Sequence, residues 1–508
     1  MTGQPPTLLL TGQPPTGSPS TGRPVRRFSL VLALVALIAA ALGVVLLAGA
    51  GHGLGRRHVV VGGVPMDEVH PAGLAPGQRR PGVVVAHGFA GSAELMAPFG
   101  DSLATRGYVV VLLDFAGHGA NTDPLPDDAA ATGASTDALQ HDLDVALAHL
   151  RALPDVDPAR TALVGHSMGA TEVTRYAAAH PEVTTTVAIS LPGSSVAQSA
   201  RPARLLLLYG GLEFPGFRAA AADAAAHGGP DRRAMAVPGV EHISILYAPT
   251  THRATVAWLD RSFCGPLNDH PVPSPLRRLG GAALLTLAFL VGIYPLAALL
   301  LPGGGRWPRF DPPVLGRAVV AAIAAGIPAV FLARILPTSR LPIAIGGFVV
   351  GYTAVIGALL TACGIRRPAA RGGWRGLPLI GYAVAAIALP LSLGLTHAVP
   401  VGPRWWLLPL IWAAFALLAY GAERLTDGNA LGVLLVSAVV LAGLAGAAIV
   451  GLTDGFVLLV VPPLALLFVW QALWSAVLNR FAAPPWLTAL TGSVVVAWPI
   501  AIALPLLS

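Results

Sequence analysis

The chain has no lysine: all 32 of its basic residues are arginine, an absence that reads as genome composition more than chemistry. Charge of either sign is scarce, at 11% of 508 residues against 54% apolar, with a mean hydropathy of +0.68. A soluble domain carries about a quarter charged residues, so a purely soluble protein is excluded. Cysteine is almost missing. The two present, Cys264 and Cys363, fall at opposite ends of an apolar stretch, which argues against a disulfide between them. No HxH or HExxH spacing occurs, so no metal site is expected, and no nucleotide-binding motif points to an ATP-driven pump.

What is there is unevenly distributed. Residues 1–57 hold five Arg and no acid, residues 58–278 hold 15 Arg and 21 acids, and residues 279–508 hold 12 Arg and 4 acids. The overall +7 therefore averages an acidic centre with basic, apolar flanks. That distribution belongs to loops beside membrane helices and not to a phosphate-binding face, so no nucleic-acid partner is expected. Thirteen of the 14 histidines precede residue 279, which concentrates titratable chemistry in the centre.

Residues 1–27 repeat Thr2-Gly3-Gln4-Pro5-Pro6-Thr7 at Thr11–Thr16 and read as a disordered tail. The uncharged run 28–50 follows Arg23, Arg26 and Arg27 and is long enough to span a bilayer. A cleaved signal peptide competes, because Ala48-Gly49-Ala50 resembles a cleavage site; the length of the run favours a retained anchor. Residues 58–264 alternate short β-rich runs with helical ones. The expected strands are His58–Val61, Val83–His87, Tyr108–Leu113, Ala162–Gly165, Val187–Leu191, Leu205–Tyr209 and Ala234–Val237, with helices over Asp137–Leu153 and Met168–His180. This is an α/β pattern with a parallel sheet covered on both faces.

Residues 279–508 form an all-α membrane region of about eight spans: 279–301, 314–335, 341–363, 377–398, 405–421, 430–451, 455–478 and 486–507. With a cytoplasmic N-terminus, twelve arginines near span ends lie inside and seven outside, which puts the central domain outside the cytoplasm. Gly347–Gly351 is a close-packing motif expected within the bundle. His397, Arg334, Glu423, Asp427 and Asp454 fall near span ends and read as interfacial residues.

The chemistry centres on Gly165-His166-Ser167-Met168-Gly169, which follows the strand Thr161–Val164 and opens a helix. A serine on such a turn projects its hydroxyl clear of the sheet. Four other segments end strands with usable groups. His87-Gly88-Phe89-Ala90-Gly91-Ser92 can aim the N–H of Phe89 or Ala90 at an oxyanion, with the Met168 N–H as second donor. Asp114–Gly119 shapes a wall, Leu205–Glu213 ends on a carboxylate, and Pro238–His242 ends on an imidazole. Asp223 and Asp231 are rival acids, and His252 is a rival base. His87, His118 and His166 are expected to support loops.

The segment from about Gly82 to Asp260, above all Asp155–Gly169, resembles the α/β hydrolases, and most of all their dienelactone hydrolase and prolyl-oligopeptidase-like esterase branches. The resemblance implies a nucleophile Ser167, a base His242 and an acid Glu213, in the chain order that fold requires, with no cofactor. Glu stands where Asp is commoner, and no long insertion makes room for a cap. The implied activity is hydrolysis of an ester-type acyl bond, on a small molecule or on a lipid or envelope ester beside membrane lipids. Peptide hydrolysis on the same fold is the alternative within enzymes. A transporter or sensor whose hydrolase-like domain only binds ligand is the alternative outside them. The sequence leaves the oligomeric state open.

Overall fold

The computed structural model describes residues 22–127, 133–197, 200–301, 307, 310–363 and 373–508. The expected tail up to residue 21 lies outside these, as do Arg306, Arg309, Arg366, Arg367 and Arg371 of the arginine comparison. The first helix, α1 (Gly22–Gly49), starts six residues before the expected span. Eight strands then follow: β1 (Gly55–Val61), β2 (Val64–His70), β3 (Arg80–Ala86), β4 (Val109–Leu113), β5 (Val156–His166), β6 (Thr185–Ile189), β7 (Leu205–Gly210) and β8 (Arg232–Val237). Between and after them lie α2 (Ala97–Thr105), α3 (Ala134–Ala152), α4 (Met168–Ala179), α5 (Pro215–Ala226) and α6 (Pro249–Ser262).

The sheet order is β1-β2-β4-β3-β5-β6-β7-β8. The six strands from β4 to β8 in that order run parallel, while β1 and β2 form an antiparallel hairpin that pairs with β4. β2 was not expected from the sequence. Pro65 and two acids interrupt its apolar pattern, although Gly62 and Gly63, at φ 57° and 87°, make the tight turn that such a hairpin needs.

β3 and β4 are near-continuous Val/Leu runs because both of their faces are covered. Val83, Val85, Val110 and Leu112 pack with Phe99 of α2 and Trp258 and Leu259 of α6. Val84, Ala86, Val109 and Val111 point the other way, onto Leu143 and Leu147 of α3 and Tyr176 of α4. The period-2 alternation thus divides one apolar run between two cores.

Eight further helices follow: α7 (Leu276–Leu300), α8 (Pro312–Ile335), α9 (Gly346–Cys363), α10 (Pro378–Gly394), α11 (Arg404–Thr426), α12 (Ala430–Ile449), α13 (Val457–Arg480) and α14 (Pro485–Ala503). With α1 they make nine helices, among the described residues, long and apolar enough to cross a membrane. The protein is a multi-pass membrane protein. The shortest expected span, 405–421, is in fact the 23-residue α11.

Small residues let these helices approach closely. A Cβ on Gly43 of α1 would stand 2.9 Å from the Gly281 carbonyl of α7, and one on Gly421 of α11 would stand 2.9 Å from the Gly357 carbonyl of α9. Gly347 and Gly351 serve a related purpose, closing α9 onto Thr338 in the preceding turn. Glu423 departs from its interfacial expectation. It is buried in α11 and accepts hydrogen bonds from Ser475 Oγ at 2.5 Å and Asn479 Nδ2 at 3.0 Å, both on α13.

Candidate active site

The six parallel strands end on one edge, and the candidate residues gather there. β5 runs through Gly165 and His166 straight into Ser167, where the backbone takes φ 53° and ψ −115° before α4 starts at Met168. A non-glycine residue at positive φ is held there by its surroundings. The two motif glycines explain how. A Cβ on Gly165 would collide with the Gly169 carbonyl, and one on Gly169 would collide with the carbonyls of His87 and Ala86. Only bare backbone lets the strand, the turn and the neighbouring loop nest.

Two loops from the far strands reach Ser167. The loop after β7 carries Glu213, whose side chain is almost fully buried, and the loop after β8 carries His242. His242 Nε2 lies 3.0 Å from Ser167 Oγ, and its Nδ1 lies 2.6 Å from Glu213 Oε1. The second carboxylate oxygen of Glu213 accepts the Gly210 N–H at 2.6 Å. Burial pushes the Glu213 pKa up, but hydrogen bonds from His242 and the Gly210 N–H outweigh it and hold the carboxyl below its ordinary value. Glu213 is therefore a carboxylate facing the imidazole.

Gly88 packs against the turn so tightly that a Cβ on it would stand 3.0 Å from Ser167 Cβ. The next residues are Phe89 and Ala90, the latter at φ 59°. Among the described residues, the N–H groups of Phe89, Ala90 and Met168 take no part in the turn and loop hydrogen bonds. His87 locks this loop. Its Nε2 accepts the Phe115 N–H at 3.1 Å, which leaves Nδ1–H to donate to the Gly88 carbonyl at 2.8 Å. Burial pushes His87 down to about 4, so the neutral tautomer that this pairing needs is the stable one. Asp114 holds the wall beside it, with its two oxygens accepting from the Ala93 and Ala120 N–H groups at 2.7 and 2.9 Å.

The rival groups lie elsewhere. His252 is buried, with Nδ1 against Ser102 Oγ and Nε2 against the Leu246 carbonyl, both at 2.8 Å. Asp223 accepts from Ser194 Oγ, and exposed Asp231 faces Arg204. His118 is buried beside His87, with Nδ1 on the Ala116 carbonyl. His166 has a part the sequence did not disclose: its Nε2–H donates to the main-chain carbonyl of His242 at 2.9 Å.

Residues 77–242 match the family model described as serine aminopeptidase, S33. The sheet domain has an α/β-hydrolase-like fold. Among solved structures it is similar to the dienelactone hydrolase of Anabaena variabilis, at 20% identity and a TM-score of 0.33, over 43% of this chain and 100% of that one. It is also similar to Est1E of Butyrivibrio proteoclasticus with ferulic acid bound, at 14% identity and a TM-score of 0.34, over 41% and 98%. No curated protein matches the sequence.

The strand-end edge of the hydrolase domain is also where the helical region docks. Ser92 Oγ meets Thr396 Oγ1 at 3.0 Å, and Glu94 pairs with His397 at 3.1 Å. His397 is therefore largely buried between the two parts and not an interfacial side chain in lipid headgroups. Arg404, fully buried at the start of α11, donates to the Gly117 carbonyl at 2.7 Å. Leu506 exchanges main-chain hydrogen bonds with Gly117 and Leu125. Phe89 stacks on Phe456, in the connection from α12 to α13, with ring centroids 5.3 Å apart. None of these partners was visible in the sequence, because each pairing crosses hundreds of residues.

Proposed function

We propose that the protein is a membrane-embedded serine hydrolase that cleaves ester-type acyl bonds. The observation that carries this reading is the continuous relay from Ser167 Oγ through His242 to the buried Glu213 carboxylate. In the proposed reaction, His242 Nε2 takes the Ser167 proton as Oγ attacks the carbonyl carbon. The N–H groups of Met168 and of Phe89 or Ala90 hold the oxyanion. Collapse expels the alcohol, which takes the proton from His242. Water, deprotonated by the same imidazole, then releases the acid and restores Ser167. Glu213 keeps Nδ1–H oriented and stabilises the imidazolium.

The test is labelling of the full-length protein by a fluorophosphonate probe. Wild type is expected to label and Ser167→Ala is not; equal labelling of both overturns the assignment. The family description as a serine aminopeptidase favours a second reading, amide cleavage. Comparing turnover of p-nitrophenyl acetate with aminoacyl p-nitroanilides separates the two.

The proposed location of the hydrolase domain is outside the cytoplasm. The connections 395–403 and 450–456 meet the domain, as do residues 504–508, and all three lie on the side that the arginine distribution assigns to the exterior. With Cys264 and Cys363 replaced by Ser, reaction of a cysteine engineered at residue 122 with an impermeant maleimide on intact cells supports this; reaction only after permeabilisation overturns it.

A further inference from the structure

We propose that the ester cleaved at Ser167 belongs to a membrane lipid, whose acyl chain reaches the site from the head of α13 along Phe456 and Phe89. The proposal rests on the serine-hydrolase reading and narrows its substrate class.

Gly88 touches the nucleophile turn and presents no side chain, and Phe89 is the next residue on that loop. Phe89 stacks on Phe456 at an interplanar angle of 27°. Phe456 is nevertheless 53% exposed, and it immediately precedes α13, a helix apolar enough to cross a membrane. Leu458 and Leu459, in the first turn of α13, are 40% and 53% exposed. Exposed apolar residues at the head of a helix apolar enough to span a membrane offer a surface that suits acyl chains. An apolar strip thus leads from the lipid-facing end of α13 to within one residue of the Gly88–Ser167 contact.

The opposite rim has the same character. Leu212 and Phe214 flank Glu213 at 69% and 80% exposure, and Ile243 follows His242 at 49%. Large apolar side chains on both sides of a triad, on the strand-end edge that faces the helical region, suit a substrate that stays partly in the bilayer. A small water-soluble ester has no use for either rim. The connection from β6 to β7 is too short to supply a cap, and the helical region meets the loop that carries Phe89. On this arrangement the membrane region supplies part of the acyl-binding surface.

The test uses full-length protein in dioleoylphosphatidylcholine vesicles, with 4-methylumbelliferyl oleate in the same bilayer and 4-methylumbelliferyl acetate in the water. Phe456→Ser is expected to lower the oleate-to-acetate rate ratio roughly tenfold or more, from the loss of one large apolar contact. Phe456→Leu is expected to keep most of that ratio. Oleate ester held in separate vesicles is expected to turn over more slowly than ester sharing the bilayer. An unchanged ratio in Phe456→Ser, or equal rates from shared and separate vesicles, overturns the lipid route and leaves the hydrolase reading standing. Turnover of both esters at the Ser167→Ala background overturns both.

Discussion

His166 Nε2 donates to the main-chain carbonyl of His242, so a residue inside the nucleophile motif fixes the backbone of the proposed base 76 positions away. Burial pushes His166 down to about 3, which keeps it neutral and a single-proton donor. Its rings and those of His242 stand 4.8 Å apart at a tilt, close enough that losing the donor lets the His242 loop relax. His166→Ala is expected to lower kcat roughly 10- to 100-fold with little change in KM, because a misplaced base costs the chemical step. His166→Gln, whose amide can donate from a similar position, is expected to recover part of the loss. Steady-state kinetics on a soluble ester check both.

Glu213→Gln replaces an acceptor by a group that can present N–H to His242 Nδ1. The imidazole would then place its proton on Nε2, facing Ser167, which is the wrong tautomer for a base. A loss in kcat on the order of 10³- to 10⁴-fold is expected, with the fold intact by circular dichroism.

Gly169→Ala tests the nesting of turn and loop. Its new methyl group would meet the carbonyls of His87 and Ala86, both of them backbone and unable to swing aside. Destabilisation of about 1–3 kcal/mol is expected from overpacking, together with loss of fluorophosphonate labelling. Thermal unfolding in detergent measures the first and gel fluorescence the second.

His252 gives a pH dependence remote from the site. Burial lowers it from an ordinary 6.5 to about 4. As pH falls, the unfolded chain takes up this proton first, so wild type loses stability between about pH 6.5 and 4 and regains it on the way back up. The loss attributable to this imidazole is about 3 kcal/mol. His252→Gln is expected to be less stable than wild type at pH 7.5, with a deficit that narrows toward pH 4. Unfolding midpoints of the two proteins across that range test it.

Arg404→Leu removes the donor to the Gly117 carbonyl while keeping an apolar side chain at the head of α11. The Gly117 carbonyl keeps the Leu506 N–H but loses its bond to a charged donor, a loss of about 1.5–3 kcal/mol. The expected result is faster proteolysis around residues 117–125, read by limited digestion with proteinase K and mass spectrometry.

Much of this fold could be read locally. The Val/Leu runs of β3 and β4, the serine turn at the end of β5 and the order Ser167, Glu213, His242 are each short-range patterns, and the strand-end rule then brings the three together. β2 escaped because its burial depends on the sheet and not on its own alternation. Glu423 looked like a span-end residue because its partners, Ser475 and Asn479, lie on another helix. Phe456 carried no signal at all: its meaning comes from the ring of Phe89, and ring stacking leaves no periodicity in a sequence.

The main-chain pairing of Leu506 with Gly117 and Leu125 has a consequence for how the protein is made. The loop after β4 leaves the ribosome early, whereas its partners, Arg404 and residues 504–508, follow half and all of the helical region's helices. The hydrolase sheet can form as soon as β8 has emerged, since domains fold as units during synthesis. This wall of its site acquires its final hydrogen bonds only after α14 has been inserted. Assembly of the membrane region is therefore needed to complete this strand-end edge.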